Sequence, residues 1–119
     1  MSLNLSIHEA LIYTMLTMSG VDRDISDAEL GRIGAVVKNS PVFEDFDIEQ
    51  LTKVSVKCGE DLGKENGLND VLSAIAIAIP EKLRETAYAF AVEIAIIDRR
   101  VEREEIRFLQ MLRDILHLD

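Results

Sequence analysis

The sequence predicts an all-α fold, a compact bundle of about six helices built from two helix–acidic loop–helix repeats. Three observations predict it. Apolar residues recur at helical spacing along nearly the whole chain, and few segments alternate with period two over a strand's length. The Ala–Ile alternation at 74–79 has no polar face, so it reads as a buried helix turn. Start and stop signals cut the rest into helix-sized pieces. Two of those pieces, near the two chain ends, repeat one another.

The first helix is expected from about Asn4 or Ser6 to Ser19, with Gly20 where a left-handed residue closes the turn. The second starts at Ser26, because Ser26-Asp27-Ala28-Glu29 is a capping box: hydroxyl and carboxylate each satisfy a free backbone N–H. Leu30, Ile33 and Val37 mark its buried stripe, and Pro41 stops it by Asn39. Residues 41–47 form a loop or short turn. Asp47 can cap a third helix with Leu51, Val54 and Cys58 on one face, ended by Gly59, Gly63 and Gly67. Asn69 can cap a fourth, Asp70 to Ile79. Pro80 suits the first position of a fifth helix running to about Ile97, and a sixth runs from near Glu102 to about Leu116.

The repeat has an offset of 76 residues: Asp22-Arg23 aligns with Asp98-Arg99 and Glu29 with Glu105. Apolar falls on apolar around them, as in Met18 with Ile94, Ile33 with Leu109 and Val36 with Leu112. A pseudo-symmetric packing of two hairpins follows, with the middle helices filling between them.

The 119 residues make one domain, 1–119, with 48% apolar and 29% charged residues. The net charge is −9, which repels phosphate backbones and anionic lipid and argues against nucleic-acid binding; cations or a basic partner fit it better. One cysteine, Cys58, excludes an internal disulfide and a cysteine-based zinc site. No basic run precedes the first apolar stretch, and the longest apolar run, Ala87 to Ile97, is about half a membrane span and contains Glu93. The expectation is a soluble, cytoplasmic protein without membrane insertion.

The stretch from Pro80 to Asp98, followed by Glu105 and Phe108-Leu109, resembles the TerB-like tellurite-resistance family, and Ala10 to Glu29 resembles the other half of that domain. The resemblance covers nearly the whole chain. It implies a compact all-α domain associated with tellurite and other stress responses. It also implies metal-binding acidic positions after the hairpin helices, here Asp22, Glu29, Asp98 and Glu105. Arg23 and Arg99 replace the glycine of the family's Asp-Gly step and can pair with the neighbouring carboxylates.

Read from the residues themselves, Asp22, Asp24 and Ser26 have the one-three-five spacing that opens an EF-hand loop. The sixth position is Asp27 instead of Gly and the twelfth Ile33 instead of Glu, so this is no EF-hand. Asp22, Asp24 and Glu29 still crowd one loop, and three carboxylates suit a hard divalent cation, the one cofactor expected. The same residues also serve as a capping box and as charges favourable to a helix start. Glu93 stands in the stretch Ala87–Ile97, otherwise apolar apart from the Tyr88 hydroxyl, which predicts a buried central helix and a carboxylate at least partly buried. A salt bridge to another helix, or a ligand site shared with Asp98, would then satisfy it.

His8-Glu9 lacks the second histidine of a zinc-protease helix, since position 12 is Ile, and His117 reads as exposed. Cys58, on the apolar face of its helix, reads as a buried inert thiol. Residues 44–49 carry four acidic residues, and Phe43 and Phe46 beside them either anchor a basic partner or plug the core. No phosphate-binding glycine loop, nucleophile elbow or Ser/His/Asp set is evident. The sequence therefore points away from an enzyme. It points to a binding or interaction domain with a divalent cation and a protein partner or second copy as ligands. A purely structural interaction module without metal is the alternative, and a metal-dependent enzyme the remotest.

Overall fold

The computed structural model describes residues 3–20, 26–98 and 103–118, with Asp98 described by its backbone alone. They form six α-helices: α1 (Ile7–Gly20), α2 (Asp27–Asn39), α3 (Leu51–Leu62), α4 (Gly67–Ala78), α5 (Arg84–Asp98) and α6 (Arg103–Ile115). No strand occurs among the described residues. The expected all-α bundle is the fold.

Helix starts follow local chemistry. The Ser6 hydroxyl accepts from the Glu9 backbone N–H at 3.1 Å, and Glu9 Oε1 accepts from the Ser6 N–H at 2.9 Å. Ser26 and Glu29 make the same reciprocal pair at 3.1 and 2.9 Å, as their sequence predicts. Asp47 caps a 3-10 turn, Ile48–Gln50, that leads into α3 instead of starting α3 itself. Pro80 likewise precedes a 3-10 turn, Glu81–Leu83, ahead of α5.

Two boundaries differ from expectation. α3 runs through Gly59 to Leu62, since a glycine costs a helix only about 1 kcal/mol and its neighbours pack well. α4 begins at Gly67, ahead of Asn69. Asn66 takes the left-handed conformation there (φ 59°), which asparagine tolerates better than most residues. Gly67 then presses so close to the end of α3 that a Cβ would overlap the Asp61 and Leu62 carbonyl oxygens.

The centre of the bundle is α1, not α5. Every residue from Ala10 to Ser19 is buried. α5 packs along α1, as do α3 and α4, while α2 and α6 each touch both α1 and α5. Exchanging α1–α2 with α5–α6 leaves the contacts among those four helices in the same pattern, as the sequence repeat anticipates. The middle helices, however, cover α1 instead of filling between the hairpins, so α5 keeps a solvent face. The turn expected to be buried at 74–79 is buried on one face only: Ala74, Ile75 and Ile79 are buried, whereas Ile77 is 79% exposed.

Directions follow from side-chain contacts. His8, near the start of α1, donates from Nε2 to the Val42 carbonyl beyond the end of α2 at 2.8 Å. Phe43, just after α2, stacks on Phe90 of α5 (5.8 Å), while Arg32 of α2 shares a depression with Glu93 and Ile97 nearer the end of α5. Arg84, at the start of α5, donates to the Leu116 carbonyl past α6 at 3.2 Å. The pairs α1–α2, α2–α5 and α5–α6 thus run antiparallel, which leaves α1 and α5 parallel to each other. The end of α1, the start of α2, the end of α5 and the start of α6 gather at one end of the bundle.

Candidate functional site

That shared end is the candidate site. Glu29 and Glu105 occupy equivalent places, the third residue of α2 and of α6. Both are buried, 2% and 4% exposed. Buried carboxylates need partners. Glu29 finds one in the Ser26 N–H, through Oε1, and both glutamates take part in further interactions. Their place in the first turn also sets each negative charge against the positive end of a helix dipole.

The other expected ligands are not brought to the site by described geometry. Asp22 and Asp24 lie outside the described residues, as do Arg23, Arg99 and the side chain of Asp98. Among the described residues, no group of three or more His, Cys, Asp or Glu side chains stands close enough together to hold a metal.

Glu93 is corrected. It is exposed, on the solvent face of α5 with Glu85, Ala89 and Ile96, and it lines a shallow depression beside Arg32 and Asn39. Its repeat counterpart, Thr17 of α1, is fully buried. The difference arises because α3 and α4 cover α1 and leave α5 open. No buried ion pair or shared pocket with Asp98 is needed to accommodate Glu93.

A second polar cluster went unread in the sequence. Tyr13 Oη donates to Asp61 Oδ2 at 2.8 Å between α1 and α3, and Lys64 Nζ reaches Asp61 Oδ1 at 3.3 Å. Burial first, then the bond to Asp61, holds the Tyr13 phenol far above its ordinary pKa. Cys58 lies one helical turn before Asp61. Burial pushes its thiol up to about 12, the Asp61 charge adds to that, and the Thr17 hydroxyl beside it acts in the opposite direction. The inert-thiol expectation therefore agrees with its surroundings. The missed signal was spacing: the stripe Leu51, Val54, Cys58 extends by three to Asp61.

The aromatic residues plug the core. Phe43 is buried, and His8 packs against Phe43 and Phe46 with ring centroids 5.5 and 5.6 Å apart. His117 is exposed, as expected. Among the described residues no helix is long and apolar enough to cross a membrane.

Comparison with known families decides the kinship. A family model described as "Tellurite resistance protein TerB" matches residues 8–119. The chain belongs to the TerB family. No curated protein and no solved structure matches it. The matched span includes both hairpins, so the TerB-like resemblance drawn from Ala10–Glu29 and Pro80–Asp98 holds over nearly the whole chain. The TerB domain here brings the end of α1, the start of α2, the end of α5 and the start of α6 to one end of the bundle.

Proposed function

We propose that this TerB domain is a non-enzymatic binding domain whose shared end takes a divalent cation, in a cytoplasmic response to tellurite or general stress. One observation carries the reading: two buried carboxylates, Glu29 and Glu105, stand in equivalent first turns at the same end of the bundle. Asp22, Asp24 and Asp98 belong to the same two connections in sequence. An all-oxygen, anionic donor set suits a hard cation such as Ca²⁺, Mg²⁺ or Mn²⁺. The fit is tested by Glu29 itself. Oε1 serves the Ser26 N–H, and a carboxylate's two oxygens have lone pairs enough to cap a helix and ligate at once.

The experiment is thermal unfolding of chelator-treated protein, with and without each ion. An ion at about 100 times its dissociation constant stabilises by roughly 2.7 kcal/mol. We expect a rise in midpoint with one hard cation, abolished by Asp22→Asn or Asp98→Asn. No ion-specific rise leaves the carboxylates as helix caps.

The second reading, an interaction module without metal, is favoured by Ile96 and Ile97, 67% and 41% exposed on adjacent positions of α5. Its partner would be another protein or a second copy. Sedimentation of the metal-free protein tests the second copy: a dimer that Ile96→Lys disperses supports it.

A further inference from the structure

The end of the bundle opposite Glu29 and Glu105 holds a cleft of about 590 Å³, between the start of α5 and the end of α6. Its charge runs against that of the chain. Lys82, Arg84 and Arg113 line it, against Glu81 and Glu85, whereas the whole chain has 13 basic residues to 22 acidic ones. Among the described residues, none of these three cations has a carboxylate within ion-pair distance.

Arg84 is fixed in place. Nη1 donates to the Leu116 carbonyl at 3.2 Å and Nη2 to the Ala76 carbonyl at 3.4 Å. Its Nε–H is buried and donates to nothing among the described residues. Neutral carbonyls thus hold the guanidinium without cancelling its charge by a full countercharge. The helical turns that open α5 add partial positive charge at the same place. The remaining wall is different in kind: half-buried Tyr88 and Leu118 give an apolar surface beside the cations.

We infer that this cleft binds a small organic oxyanion, with Lys82, Arg84 and Arg113 facing the acid group and Tyr88 and Leu118 facing its apolar body. The volume is far larger than an inorganic anion fills, and the mixed wall matches a ligand polar at one end. The acid group is a carboxylate or a phosphate; both are recognised by the same charge-assisted hydrogen bonds. The inference is independent of cation binding, which concerns the other end of α5 and α6.

The test follows backbone amide shifts by NMR as the full chain is titrated with phenyl phosphate, phenylacetate, phenol and inorganic phosphate. Saturable shifts in residues 81–88 and 113–118 with either aromatic acid are expected, and the stronger of the two identifies the acid group. Arg113→Gln and Lys82→Gln, both at exposed positions, each weaken that binding by about tenfold, the share of one charge-assisted hydrogen bond. Arg84→Gln is a poorer test, because it also frees two carbonyls that tie helices together. Absence of saturable shifts with both acids overturns the inference. So does phenol binding as tightly as the acids, which would make the cleft merely apolar, or inorganic phosphate matching phenyl phosphate, which would remove the role of the body.

Discussion

Tyr13 Oη and Asp61 Oδ2 meet at 2.8 Å between α1 and α3, and neither residue is exposed by more than 4%. α1 is otherwise held almost wholly by apolar packing, which is tolerant of sliding. A single directional bond between partners 48 residues apart fixes α3 in register against it. Tyr13→Phe removes the donor and keeps the ring. Asp61 is then left with Lys64, whose side chain is 65% exposed and contributes little. The expected loss is about 1–3 kcal/mol, read as a lower urea midpoint at unchanged m-value. Asp61→Asn keeps an acceptor for the phenol and costs less. Equal stability of Tyr13→Phe and the parent protein would show that packing alone sets the register.

The same cluster sets an alkaline limit. Tyr13 and Cys58 both have folded-state pKa values raised above their unfolded ones, chiefly by burial. Their contribution is complete below the ordinary thiol range. It is lost as pH climbs from there towards about 12, because the unfolded chain can ionise the thiol while the folded one resists. Midpoints measured across that range should fall steadily, and Cys58→Ala should flatten the early part of the fall. Labelling by a thiol reagent in native buffer should be slow and should accelerate sharply in denaturant. Rapid labelling of the native protein would contradict the burial of Cys58.

Much of the bundle is legible in local chemistry. Ser26 and Glu29 announce α2, Pro41 ends it, and the duplicated hairpins set the symmetric neighbours of α1 and α5. The division of labour between those two helices is not legible. α1 and α5 are both nearly apolar, and the sequence weights them by the unusual residue, Glu93, instead of by the uncharged run from Ala10 to Val21. Burial is decided by which hairpin α3 and α4 cover, a long-range choice that periodicity does not encode. The same holds at Asp61, whose stripe position predicts burial but whose partner lies 48 residues away. At the candidate site, Glu29 is legible as a cap, whereas its burial and that of Glu105 depend on four helix ends meeting.

Two glycines in helices separate packing from propensity. Gly31, exposed within α2, has nothing within 4 Å of where a Cβ would stand, so Gly31→Ala should stabilise by about 0.5–1 kcal/mol. Gly67 has the Asp61 and Leu62 carbonyl oxygens in that space. Gly67→Ala must push α4 away from α3, so it should destabilise although alanine is the better helix former. Opposite signs in paired denaturation curves are the expected outcome. A stabilised Gly67→Ala would mean that the α3–α4 connection yields more readily than its close approach suggests.

Glu29 can be made to report its two roles separately. Glu29→Ala removes the acceptor for the Ser26 N–H, and loss of such a cap costs about 0.5–2 kcal/mol. That cost should appear in chelator-treated protein and does not depend on any ion. Glu29→Gln keeps a carbonyl oxygen able to accept from Ser26, so the metal-free protein should retain most of its stability. It lacks the charge that a hard cation needs. If the shared end binds a divalent cation, Glu29→Gln should therefore lose most of the ion-induced rise in midpoint while its metal-free midpoint stays near that of the parent. If the rise survives in Glu29→Gln, or if no ion raises the parent's midpoint, Glu29 has no part in binding a cation. Glu105→Gln, at the equivalent place in α6, should behave as Glu29→Gln does if one cation draws on both hairpins, and should leave the rise intact if it draws on the first alone.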